Sequence, residues 1–155
     1  MTEAVVAGAI TVAVLNAVSA LLGGWLWYRD DPDSVRSQKA FWVLLRVGQG
    51  SAITLAVAVG SLAVAGHYSS EQLFYLYALL PLPVAFVAEQ LRVASAQTIL
   101  DQRGLDDAAA VGGLPEAEQH VLVAEIVRRE MGVMALSALV VVFLTLRAAS
   151  TAHGF

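Results

Sequence analysis

Polar residues interrupt this chain at only a few places, and between them run four apolar stretches at about 4–28, 41–66, 73–88 and 131–146. A helix rises about 1.5 Å per residue, so crossing a hydrocarbon core of about 30 Å takes about 20 residues. The pattern therefore predicts four membrane-spanning helices, with spans near 4–28, 41–66, 72–92 and 129–147. The expected fold class is all-α: a polytopic membrane four-helix bundle filling residues 1–155 as one domain, because four spans leave no room for a separate soluble unit.

The connections sharpen this picture. The first stretch ends in Gly23, Gly24, Trp25, Trp27 and Tyr28, an aromatic belt, and passes into Arg29 and the turn formers Asp30, Asp31, Pro32 and Asp33. The second enters through Lys39, Phe41 and Trp42 and leaves at Gly66, His67 and Tyr68. Only a few residues separate it from Glu71, which forces an antiparallel hairpin. The third opens with Phe74, Tyr75 and Tyr77, and Pro81 and Pro83 predict a bend.

Beyond Glu89, Gln90 and Arg92 the apolar run becomes an amphipathic helical pattern through Leu91, Ala94 and Thr98. Residues 103–115 read as a loop, broken by Gly104, Gly112 and Gly113. A second amphipathic piece starts after Pro115 and runs through Val123 and Ile126 into the last span. The third and fourth helices are thus expected to extend into the cytoplasm as a hairpin.

Charge supplies the orientation. Arg29, Arg36, Lys39, Arg46, Arg92, Arg103, Arg128 and Arg129 all fall in the first and third loops or at the helix ends beside them, and only Arg147 lies at the opposite side. Because Lys and Arg near span ends are retained on the cytoplasmic side, loops 29–40 and 101–116 are expected inside and both termini outside. The first stretch resembles a signal peptide in offering Ala17, Ser19 and Ala20 as small residues for cleavage, but it carries Glu3 and no Lys or Arg ahead of the apolar run, so it is expected to stay as a helix.

Composition narrows the chemistry. The chain is 58% hydrophobic and 14% charged with a mean hydropathy of +0.70, which is far from a soluble domain. No cysteine is present, which excludes disulfides, thiolate metal sites and a cysteine nucleophile. A net charge of -4 argues against nucleic acid as a partner, since that needs a basic face to displace counterions. The partner expected from composition is the lipid bilayer.

Depth along the helices locates candidate site residues. About 31 Å of helix separates Arg46 from His67, and again Glu71 from Arg92, while about 25 Å separates Glu130 from Arg147. Arg46, Glu89, Arg92, Glu125, Arg128, Arg129 and Glu130 therefore form a charged collar at the inner level. A lone charge in hydrocarbon costs at least about 2.5–3.5 kcal/mol, so Glu89 should face the bundle and pair with Arg46, Arg128 or Arg129. The alternative is a proton-carrying or cation-binding carboxylate at the mouth of a pathway. Arg46, Gln49 and Trp42 share a helical face, and an arginine beside an amide suits a phosphate or carboxylate, although snorkelling of Arg46 to the headgroups competes with that use.

Small residues give the helices their contact faces: Gly8, Asn16, Ser19 and Gly23 on the first, Ala52, Ala56 and Gly60 on the second. Asn16, near the midplane, is expected to bond across helices. Gly48 and Gly50 flank Gln49 inside an apolar helix and read as a close helix contact, not a nucleotide loop. His67 and His153 fall outside and His120 inside; no metal-ligand spacing accompanies them, and an outer His67–His153 metal pair, with only Glu71 nearby, is the minor alternative.

No cofactor, catalytic residue or family motif is specified by these residues. The function they lead to is a small homo-oligomeric membrane protein of channel or transporter type, with Arg46, Gln49, Glu89, Arg92, Arg128, Arg129 and Glu130 at its cytoplasmic mouth. The alternatives are a membrane-embedded enzyme holding an anionic or lipid-like substrate at the cytoplasmic surface, and an accessory subunit of a larger membrane complex.

Overall fold

Apolar runs long enough to cross a bilayer gain most by closing every backbone hydrogen bond within themselves, and helices dominate the chain accordingly. The computed structural model describes residues 2–29, 35–105 and 108–154. Its elements are α1 (Thr2–Arg29), α2 (Val35–Val64), α3 (Gln72–Leu79), α4 (Pro81–Gln102), α5 (Ala108–Gly112) and α6 (Glu116–Thr151), with no strand among the described residues. Four helices are long and apolar enough to cross a membrane: α1, α2, α6 and the continuous Gln72–Gln102 formed by α3 and α4. The turn formers Asp30, Asp31, Pro32 and Asp33 lie outside the described residues.

α1 packs most extensively against α6 and next against α2, while α3 and α4 close on α6. Contact between α2 and the α3–α4 pair is sparse, so the ring has a thin seam on that side. Small side chains explain the tight side. A Cβ on Gly23 would overlap the Phe41 ring of α2 and come within 2.9 Å of the Ala135 methyl of α6, so three helices converge where only glycine fits. About two turns earlier, the Asn16 amide donates to the Val12 carbonyl of its own helix at 2.9 Å and to the Gly48 carbonyl of α2 at 3.4 Å. Gly48 leaves room for that amide, which would lie only 3.1–3.2 Å from a Cβ there.

Two core levels follow. Val12, Leu55, Val59, Phe74 and Val141 fill one, and Phe41, Leu45, Met131 and Met134 the other. Outward the order inverts relative to a water-soluble protein, with Leu21, Val57, Phe86, Leu136 and Phe143 all exposed. Ala52 and Ala56 are buried as their spacing predicts, but Gly60 is exposed with nothing within 4 Å of its Cβ position. A four-residue step advances about 40° beyond a full turn, so Gly60 drifts off the face that Val59 keeps.

The prolines interrupt the third helix without ending the span. Leu80 keeps right-handed helical dihedrals and its N–H donates to Leu76 at 2.9 Å, while Val84 donates to Leu80 at 3.1 Å. Pro81 and Pro83 have no N–H to continue the ladder, which separates α3 from α4. Residues 103–115, expected as loop, contain the short α5, because an alanine-rich run lies between the breakers Gly104 and Gly113.

At the far end the 65–71 turn is tied to the chain terminus. Ser69 Oγ and the Ser70 N–H both donate to the His153 carbonyl at 2.9 Å, and the Ser69 N–H donates to Tyr75 Oη at 2.9 Å. Gly66 and Gly154 adopt positive φ of 82° and 83°, and a Cβ on Gly154 would also strike the Ser70 side chain.

Candidate functional site

Charge that cannot be left alone in an apolar bundle must find a partner at its own depth, and four of the collar residues do so. Arg46 on α2 donates from Nη1 to Glu89 Oε1 on α4 at 2.5 Å, and the same nitrogen donates to Gln49 Oε1 at 2.7 Å. Gln49 Nε2 reaches Glu89 Oε1 at 3.4 Å. Arg92, three residues after Glu89, donates from Nε to Glu89 Oε2 at 3.0 Å and from Nη1 to Glu130 Oε2 on α6 at 3.5 Å. The chain Arg46, Glu89, Arg92, Glu130 thus crosses from α2 through α4 to α6 with two charges of each sign.

Both oxygens of Glu89 are engaged, one by Arg46 and one by Arg92. The side chains at the centre are the more sheltered: Glu130 is 17% exposed and Glu89 26%, against 53% for Arg46. Arg46 is therefore the member that reaches outward. Trp42 completes the group, with the Arg92 guanidinium 5.6 Å from its ring centroid. The sequence reading placed Trp42 beside Arg46 on one helix face and missed this contact across helices; the aromatic belt was the available signal.

The rest of the collar goes elsewhere. Glu125 pairs with Arg103 at 2.5 Å, joining the end of α4 to α6 farther from the apolar spans. Arg128 Nε donates to the Trp27 carbonyl of α1 at 3.2 Å, and Arg129 borders a groove between α1 and α6. Neither is bound to Glu89 in the ion pairs above. Asn16 stands apart as a helix-to-helix bond within the core, and Ser19 and Thr145 satisfy themselves on their own helices.

A groove of about 250 Å³ runs along the thin seam between α2 and α4. Ala52, Ile53, Leu82 and Phe86 line it, and Gln49 and Glu89 stand at its polar end. Among the described residues no group of three or more His, Asp or Glu is placed to hold a metal ion. At the opposite end, His153 uses its backbone carbonyl to hold the turn and Arg147 lies 5.5 Å from the Tyr77 ring centroid. No protein-family model, curated protein or solved structure matches the chain.

Proposed function

We propose that this chain is a four-pass integral membrane protein, with its arginine-rich end in the cytoplasm, that serves as a small accessory or assembly subunit of a larger membrane complex. The membrane part of the reading is supported by the four long apolar helices and by the large aliphatic and aromatic side chains they turn outward. Retention of Lys and Arg on the cytoplasmic side supports the orientation. In this placement the ends of α4 and α6 beyond Arg92 and Glu130, joined by the Arg103–Glu125 pair, project into the cytoplasm as a hairpin.

The observation that carries the accessory role is the closed charge chain. Arg46, Glu89, Arg92 and Glu130 answer one another within a single protomer, which is what a structural clasp between helices requires. A carboxylate that relays protons or binds a cation works by exchanging partners, and both Glu89 oxygens are already held by guanidinium groups. The surfaces left for recognition are then the outer faces and the hairpin.

One observation favours transport as the second reading. The seam groove brings Gln49 and Glu89 to a surface that a second copy could cover, and a pathway would then run between protomers, past the clasp. Purification of the tagged protein from native membranes in mild detergent, followed by flux measurements on liposomes, separates the two. The accessory role predicts a larger subunit retained at fixed stoichiometry and no flux from the isolated protein. Flux from the isolated protein that Glu89→Gln abolishes would overturn it in favour of transport.

A further inference from the structure

On the side of the ring away from the thin seam, α1 and α6 enclose a groove of about 680 Å³, within the range of about 300–1,000 Å³ common for organic ligands. The small residues Ala17, Ala20, Gly24 and Gly132 line it, and Leu139 is the lining residue of α6 farthest along the helix from Arg129. Arg129 and Trp27 stand at the near end. The distance from Arg129 to Leu139 along α6 is about 15 Å, as is that from Trp27 to Ala17 along α1. Half of a hydrocarbon core of about 30 Å is the same length. The groove therefore runs from a headgroup level to the midplane.

Its mouth is built for an anion. Arg129 is exposed and takes part in none of the ion pairs among the described residues, unlike Arg46, Arg92 and Arg103. Trp27 lies against Gly132, where a Cβ would come within 3.0 Å of both Cδ1 and Nε1 of the indole. Tryptophan at this depth sits among headgroups, with one apolar body and one N–H donor. Charge and length select the occupant: an arginine beside a tryptophan at one end, with an apolar lining that runs on for about 15 Å, matches an anionic headgroup followed by one acyl chain.

We propose that this groove holds one acyl chain of an anionic phospholipid from the leaflet at the arginine-rich end, with the lipid phosphate on Arg129. The inference rests on the four-pass membrane reading but not on the accessory role. Asp30, Asp31 and Asp33 follow Trp27 in the chain, so preference for an anionic over a zwitterionic headgroup is the deciding property.

The test is native mass spectrometry of the delipidated full-length protein in detergent, titrated with phosphatidylglycerol or phosphatidylcholine of the same acyl chains. One phosphatidylglycerol per protomer should bind, preferred at least about fivefold, as a contribution of about 1 kcal/mol from one arginine implies. Arg129→Gln should bring the preference to about one while the chain still binds. Gly24→Leu should weaken both lipids about tenfold, since no atom lies within 4 Å of a Cβ there and the new side chain enters the groove without displacing its walls.

Equal binding of the two lipids by the unmodified protein, an unchanged preference in Arg129→Gln, or a dimer that Gly24→Leu dissociates would each overturn the proposal. The last result would assign the groove to a second copy. If Gly24→Leu fails to fold, the Arg129→Gln comparison still decides. Failure of the membrane reading itself would be seen separately, as a protein that stays in solution without detergent.

Discussion

Gly23, Gly48 and Asn16 hold α1 to its neighbours by shape more than by polarity. A hydrogen bond between helices in a bilayer contributes about 0.6 kcal/mol on average, and the Asn16 to Gly48 bond at 3.4 Å is a long one. Asn16→Ala should therefore lower stability by about 1 kcal/mol or less. Forcing a methyl into a packed site costs more, so Gly23→Ala should cost about 1–3 kcal/mol, because its Cβ would overlap Phe41. Gly48→Ala should be harmful alone and milder beside Asn16→Ala, since the amide is what the new methyl would meet. Thermal unfolding of the single and double variants in detergent measures that coupling; additive losses would remove the amide from the explanation.

The clasp belongs to α2, α4 and α6 together. Glu89→Gln leaves Arg46 and Arg92 without their shared negative charge, and hydrogen bonds to charged groups are each worth about 1.5–3 kcal/mol, so a loss of that order is expected. Arg46→Gln should cost less, because Arg46 is half exposed. The Arg103–Glu125 pair is exposed on both sides, and Arg103→Ala should change stability by about 1 kcal/mol at most. Unfolding in detergent ranks the three; equal losses would contradict the hierarchy. Helix rise sets Arg46, Arg92 and Glu130 near one depth and Glu89 one turn deeper, and the structure joins the four. What spacing did not hold was rotation. Arg128 and Arg129 directly precede Glu130, yet the phase of α6 turns them toward α1, and Gly60 leaves its interface for the same kind of reason. The groove between α1 and α6 was likewise illegible, since it depends on which small residues of two distant segments come opposite each other.

For the whole molecule, four long apolar stretches are the most readable property of the chain, because hydrocarbon thickness sets a length that no local propensity can disguise. The proposed sidedness is what would set the clasp at the inner headgroups, the hairpin in the cytoplasm and the proposed lipid in the inner leaflet. The chain has no cysteine, so single reporters can be placed without background. His67 is exposed in the 65–71 turn, and Gly112 is exposed with open space at its Cβ position. Labelling intact cells with a membrane-impermeant maleimide is the most direct test. His67→Cys should react from outside and Gly112→Cys only after permeabilisation; the reverse pattern, or reaction of both from one side, would contradict the four-pass orientation.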